Sequence, residues 1–237
     1  MAAADARDAS LSDRDRRSHG VVHTPSALAR FVAARCDHHL RRLGFAGLAD
    51  ERVTVVDPAC GPGIFLAAVA TVAGCGVRCI GVDRDPDALD VAGRVLSPLE
   101  QLTLLQTDAL ESLDVFADTD ALVVLGNPPW SGRSASRTAL LDRLLTDFRV
   151  DVDGKTPLQE RKVGVLSDVY VRFLRWAFEG LRRAPSGGVL GLVTNASFLD
   201  GPVHRGMRAA MGRWSEAIEV FDFGGSALTA RDTKVDD

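Results

Sequence analysis

Short apolar segments rich in β-branched residues alternate with helical segments along most of the chain, and this alternation constrains the fold more than any other feature. Six segments have the pattern of strands, and in chain order they read RVTVVD, VRCIGVD, LTLLQT, ALVVLG, GGVLGLVT and IEVFDF. Parallel strands need long crossover connections, which the intervening helices supply. The sequence therefore predicts an α/β fold with a doubly wound, mostly parallel sheet.

The chain of 237 residues is long enough for one such domain with a full hydrophobic core. Residues 1–19 mix Asp and Arg with small residues, which predicts a disordered leader rather than a signal peptide. Residues 20–237 are the predicted folded domain, and residues 131–162 within it have the polar character of an insertion or mobile loop. No apolar run reaches the roughly 20 residues of a membrane helix, so we expect a cytoplasmic protein with no membrane partner.

Charge and cysteine content restrict the classes of ligand. The formal net charge of −4 argues against a nucleic-acid-binding protein on the simplest interpretation, so such a function requires a local concentration of positive charge. The four cysteines form no CxxC pair and have no nearby histidine cluster. We therefore expect buried thiols and neither a disulfide framework nor a metal site.

A predicted helix precedes the first strand. Thr24 has the residue type of an N-cap, Pro25 suits the first helical position, and Gly44 is the predicted end of the helix.

The segment DPACGPG follows the first strand directly and leads into a helix. Gly61 and Gly63 allow backbone to approach a ligand where a Cβ atom would clash. The loop lacks the Lys-Ser/Thr pair of a phosphate-binding loop, so S-adenosylmethionine fits better than a nucleoside triphosphate. A tight turn without a ligand is the alternative for this loop taken alone.

Asp83 ends the second predicted strand, in the segment GVDRD. At that position an acidic side chain is placed to accept hydrogen bonds from ribose hydroxyls. A helix cap or a solvated loop carboxylate is the alternative interpretation.

The fourth strand ends in NPPW, which points to chemistry on a planar amine. Such an amine is a poor nucleophile because its lone pair is delocalised into the ring. The Asn127 Oδ1 and the Pro128 backbone carbonyl are two acceptors that can draw its nitrogen towards tetrahedral geometry. Trp130 offers a flat face for an extruded base. A strand-end turn with a core tryptophan is the alternative.

Taken together and in this order, the motifs resemble those of gamma-class N6-adenine DNA methyltransferases, whose fold is Rossmann-like. The resemblance rests on HTPSALARFV, VVDPACGPGIFL, GVDRDP, QTDAL, VVLGNPPW and GGVLGLVTNASFLDG. The stretch from LSDVYVRFLRWAFEGL to IEVFDFGG looks like the methyltransferase module of single-polypeptide (type ISP or IIG-like) restriction-modification enzymes. The similarity covers roughly Gly20 to Gly225.

The resemblance implies a set of site residues. The cofactor would be S-adenosylmethionine, and Thr24 would contact its carboxylate. The loop from Asp57 through Ala59, Gly61 and Gly63 would surround its methionine and ribose. Asp83 would bind the ribose, and Asp108 would lie between the cofactor's adenine and the target site. The target base would be gripped by Asn127, Pro128 and Trp130.

The resemblance also implies the reaction and its partners. We expect methyl transfer to the N6 amine of an adenine flipped out of double-stranded DNA. The family's target recognition domain, and an aromatic residue just beyond the sixth strand, are expected to be missing from a C-terminally truncated domain. A missing C-terminal region or a separate specificity or nuclease partner would then choose the site. The alternatives are an RNA or protein-glutamine methyltransferase, and a catalytically idle cofactor-binding subunit of a defence complex.

Overall fold

The computed structural model describes residues 24–130, 138–160 and 162–223. Its sheet has five parallel strands in the order β3-β2-β1-β4-β5. The strands are β1 Val53–Asp57, β2 Arg78–Asp83, β3 Gln101–Gln106, β4 Ala121–Gly126 and β5 Gly188–Leu192. These five strands confirm the predicted parallel α/β sheet.

Helices cover both faces of the sheet. They are α1 Ser26–Arg42, α2 Ile64–Ala73, α3 Pro86–Val95, α4 Ala139–Leu144, α5 Val169–Arg183, α6 Ser197–Asp200 and α7 Arg205–Trp214. Strand β4 is buried on both faces: Ala121, Val123 and Leu125 join the core shared with α1 and α2, whereas Leu122 and Val124 join the core shared with α5. The period of two along β4 therefore divides the interior into two layers.

Helix α1 differs from the prediction at its start. Pro25, not Thr24, is the N-cap, and no side chain caps the helix. The predicted end is confirmed, because Gly44 follows the helix with φ +90°, a conformation that glycine adopts without strain. The Thr24 side chain is buried and bonds elsewhere, as described below.

The predicted sixth strand is wrong. Residues 218–223 form no strand, and they lie along α1. The rings of Phe221 and Phe31 meet edge to face with centroids 4.9 Å apart, and Arg35 binds Glu219 at 2.8 Å. The β-branched and aromatic residues of this segment suit a strand, but a strand also needs a neighbour for its backbone hydrogen bonds. No described strand lies beyond β5, so the segment packs through its side chains instead.

The remaining expectations concern the leader, the insertion, the cysteines, membrane helices and metal ligands. The leader, residues 1–19, and residues 131–137 and 161 of the insertion lie outside the described residues. Cys36, Cys60 and Cys79 are buried, but Cys75 is exposed in the turn before β2, so the prediction of buried thiols is wrong for that residue. Within the described ranges, no helix is long and apolar enough to cross a membrane, and no cluster of three potential metal ligands occurs.

Candidate functional site

The order of the strands places the candidate site. From β1 the chain proceeds outward through β2 to β3, then returns to β4 on the opposite side of β1. In open α/β sheets ligands bind at this switch point, outside the carboxyl ends of the strands. Asp57 ends β1 and Asn127 follows β4 directly, so two of the predicted site residues lie at this point on neighbouring strands.

The glycine loop after β1 has two glycines with positive φ, but they serve different ends. Gly63 has φ +90°, and a Cβ there would lie 2.9 Å from a methyl carbon of Leu96. Gly61 has φ +50°, and a Cβ there would meet nothing within 4 Å. Packing thus requires glycine at position 63, whereas Gly61 borders open space that a ligand can fill.

Asp83 ties the glycine loop to the end of β2. One carboxylate oxygen accepts a hydrogen bond from the Gly61 amide at 2.7 Å, and the other accepts from the Asp85 amide at 2.9 Å. A carboxylate has about four acceptor sites, so both oxygens retain capacity for further donors. The residue therefore shapes the loop and can still accept from a ligand, whereas the cap of the following helix is Asp85.

Asp57 is fully buried. Its Oδ1 accepts from the Ala59 amide at 3.2 Å, whereas its buried Oδ2 has no hydrogen-bond partner among the described residues. Burial raises the pKa of this carboxyl to about 8, and the negative charge of Asp83 adds to the increase. The end of β1 thus holds a buried carboxyl group whose neutral form is favoured below about pH 8, and a nearby positive charge would favour its ionised form.

Gly126, the last residue of β4, lies against that carboxyl. A Cβ at this position would be 2.7 Å from Asp57 Oδ1. Only a residue without a side chain permits this approach between the ends of β1 and β4.

The amide of Asn127 is held at both ends. Its Nδ2 donates to Thr24 Oγ1 at 3.0 Å, and its Oδ1 accepts from Trp130 Nε1 at 2.8 Å. The same indole nitrogen lies 3.3 Å from the Val193 carbonyl oxygen. Pro128 is buried beside this group, and Trp130 is half-buried. The structure therefore brings together Thr24, Asn127 and Trp130, which are 103 and 3 residues apart in the chain.

Asp108 lies on the far side of the site. It follows β3, three strands from β4 in the sheet order, a separation of about 14 Å at the usual strand spacing. Its Oδ1 accepts from the Leu110 amide at 3.0 Å, and its Oδ2 lies 3.5 Å from Arg84. The predicted residues thus form a row along the sheet edge rather than one cluster.

A buried polar cluster beside the end of β5 was missed by the sequence analysis. The Tyr170 hydroxyl lies 3.0 Å from Ser197 Oγ and 3.1 Å from His204 Nε2. Burial lowers the pKa of His204. These residues come from α5, α6 and the turn before α7, and no local motif joins them. The Val193 carbonyl was missed because backbone groups carry no signal in the sequence.

Comparisons with known proteins concern the fold and the family resemblance. No protein-family model matches the sequence. A 114-residue part is 32% identical to a Type II methyltransferase of Thermus thermophilus, over 48% of this chain and 22% of that protein. The structure is similar, with a TM-score of 0.68 and 18% identity, to a nuclease-deletion mutant of the Type ISP restriction-modification enzyme LlaGI in complex with a DNA substrate mimic, over 82% of this chain and 22% of that one.

A third similarity concerns the fold class. A putative class I S-adenosylmethionine-dependent methyltransferase from Listeria monocytogenes matches 79% of this chain and 52% of its own, with a TM-score of 0.50 and 20% identity. The chain spans about a fifth of the length of the Thermus relative and of the ISP enzyme. The fold is the Rossmann-like fold of class I methyltransferases, and the resemblance to methyltransferases of restriction-modification systems is confirmed.

Proposed function

We propose that this chain is the catalytic core of an S-adenosylmethionine-dependent DNA methyltransferase that modifies the N6 amine of adenine in a restriction-modification or defence system. The observation that carries the proposal is the amide of Asn127, held at the switch point of the sheet by Thr24 and Trp130. The similar Thermus protein is named a methyltransferase, and the ISP enzyme was solved with a DNA substrate mimic. We place the action on double-stranded DNA in the cytoplasm, with a recognition region or a specificity or nuclease partner choosing the site.

The residues at the ends of β1 and β2 fit the cofactor. S-adenosylmethionine supplies a methyl group on a positively charged sulfonium. The Asp57 Oδ2 has no hydrogen-bond partner within the part of the chain that the structure describes, and Asp83 adds a second carboxyl group nearby, so this end of the sheet favours a cationic ligand. Gly61 borders the space such a ligand needs. Asp83 would accept from the ribose hydroxyls, and the Thr24 hydroxyl, an acceptor for Asn127, keeps its hydrogen to donate to a carboxylate.

Residues at the end of β4 would act on the target base. The Asn127 Oδ1 and the Pro128 carbonyl would accept from the two hydrogens of the adenine amine, which frees its lone pair for in-line attack on the methyl group. The indole ring of Trp130 would stack on the flipped base. Orientation and these preorganised acceptors, rather than a covalent intermediate, would then supply the catalysis.

Replacing the amide tests the proposal in the complete protein that carries this domain. Asn127→Ala should retain affinity for S-adenosylmethionine but lower methylation of DNA about a hundredfold or more, the scale of losing a preorganised polar contact. Calorimetry measures the affinity, and mass spectrometry of digested DNA should find N6-methyladenine in the parent reaction. Gln101→Ala is the matched control, since its amide donates to the Gly76 carbonyl at the opposite edge of the sheet.

Other products would decide between the alternatives. 5-Methylcytosine, methylated RNA or methylated protein in place of N6-methyladenine would refute the proposed substrate. Full activity in Asn127→Ala would refute the proposed site.

A further inference from the structure

The orientation of the Asn127 amide decides whether it presents an acceptor or a donor to the target amine. An asparagine amide has nearly the same shape after a half-turn about its last torsion, but its oxygen and nitrogen exchange places. In the flipped orientation the NH₂ group would face the hydrogens of the adenine amine. Two donors would then oppose each other, and the site would lose its acceptor.

Thr24 does not select the orientation by itself. Its hydroxyl lies 3.0 Å from Asn127 Nδ2, and a hydroxyl group both donates and accepts. It would bond to an oxygen at that position as readily as to a nitrogen.

Trp130 does select it. The indole Nε1–H is a donor only, so the atom of Asn127 that faces it must be the oxygen. The separation of 2.8 Å is that of a full hydrogen bond. A flipped amide would place its NH₂ group against the indole N–H and lose this bond.

The sheet fixes the position of the indole in turn. The Nε1 atom also lies 3.3 Å from the carbonyl oxygen of Val193, which follows β5 directly. The amide of Val193 donates to the Gly126 carbonyl at 2.9 Å, at the end of β4. The indole therefore takes its place from the ends of two paired strands.

We infer that the indole N–H of Trp130 is a positioning group that orients the Asn127 amide, separately from any stacking by the ring. The inference rests on the proposed function, because it assigns the remaining lone pair of Asn127 Oδ1 to the amine of the target adenine. One lone pair accepts from Trp130, and the second stays directed to the substrate.

Trp130→Phe tests the inference, because phenylalanine keeps an aromatic face and removes the N–H donor together with the five-membered ring that carries it. In the complete protein, kcat should fall about tenfold, the size of one hydrogen bond. The dissociation constant for S-adenosylmethionine and KM for DNA should change less than about twofold, since stacking persists. Trp214→Phe is the matched control: its ring packs on Phe148 and Phe178, away from the strand ends, and its loss should leave kcat unchanged.

A second variant separates orientation from packing. In the Asn127→Asp background the side chain has two equivalent oxygens, so no orientation needs to be selected. Adding Trp130→Phe there should lower kcat by less than about threefold, against about tenfold in the Asn127 background. An equal loss in both backgrounds would mean that the indole only fills space.

A nuclear magnetic resonance measurement tests the contact without activity. The indole ¹H–¹⁵N signal of Trp130, assigned through Trp130→Phe, should move when Asn127 is changed to alanine. An unmoved signal, or a wild-type kcat in Trp130→Phe with an active parent, would overturn the inference and leave the proposed function standing. Absence of N6-methyladenine from the parent reaction would overturn both.

Discussion

Replacing Asp57 by asparagine removes a carboxyl group that the fold buries completely and leaves without a partner at Oδ2 among the described residues. The substitution keeps the size of the side chain and its acceptor for the Ala59 amide. The titration at this position is lost. The cofactor-free protein should therefore respond to pH differently before and after the change.

The sign follows from the two states of the chain. An aspartate in the unfolded chain has a pKa of about 4, and burial raises the pKa of Asp57 to about 8 in the folded protein. Between these values the folded state holds a proton that the unfolded state has released, so stability falls as pH rises through this window. Below about pH 4 both states are protonated, and above about pH 8 both are ionised and the full penalty remains.

The magnitude comes from the width of that window. At about 1.4 kcal/mol per pH unit, an interval of about four units sets an upper bound of about 5 kcal/mol. Relaxation of the glycine loop and entry of water around the charge reduce this penalty, so we expect about 2 kcal/mol. Asp57→Asn should thus stabilise the cofactor-free protein by about 2 kcal/mol at pH 8.5 and hardly at all at pH 4.5.

Denaturant unfolding at the two pH values measures the effect. Asp50→Asn is the control without a pH dependence in this range: hydrogen bonds from Arg52 and from the Ala46 amide lower the pKa of Asp50, so its contribution is present at both pH 8.5 and pH 4.5 and fades only as pH falls below about 4. This variant should therefore destabilise the protein equally at the two pH values. If Asp57→Asn were equally or more destabilising at pH 8.5 than at pH 4.5, the buried carboxyl would have to be ionised and partnered, and the reasoning would fail.

Two more predictions concern the cofactor. Gly61→Leu should abolish measurable binding of S-adenosylmethionine by calorimetry, because the leucine side chain enters the open space at that position. Undiminished binding would show that the cofactor does not bind there. Gly164→Leu is the control, since Gly164 also borders open space but lies before α5. Affinity for S-adenosylmethionine should rise between pH 6 and pH 9, since the cation favours ionised Asp57, whose pKa burial raises to about 8. Asp57→Asn should remove the pH dependence, and a flat profile in the parent would contradict the role given to this carboxyl.

The strands could be predicted from the sequence because burial determines their composition. Strand β4 is apolar at every position from Ala121 to Leu125, as a strand covered on both faces must be. The segment of residues 218–223 has the β-branched and aromatic composition of a strand too, yet it lies on α1 through Phe221 and Glu219. Local pattern could not foresee this, because a strand depends on a neighbouring strand distant in sequence.

In the candidate site, too, local sequence pattern does not predict the contacts that side chains make with residues distant in sequence. The placement of Asn127 after β4 and of the glycine loop after β1 followed from the motifs. The bond from Asn127 to Thr24, however, joins residues 103 positions apart and takes the hydroxyl away from the cap that local rules assign to it. A contact between residues 22 positions apart also made Asp83 an acceptor for the Gly61 amide, which its position at a strand end does not indicate.

Gly126 joins the two halves of the site. It precedes Asn127 in the chain, and its Cα faces the Asp57 carboxyl so closely that a Cβ would lie 2.7 Å from Oδ1. Its carbonyl also accepts from the Val193 amide, which positions the carbonyl that contacts Trp130. The buried acid at the end of β1 and the oriented amide after β4 are therefore separated by one residue that cannot carry a side chain.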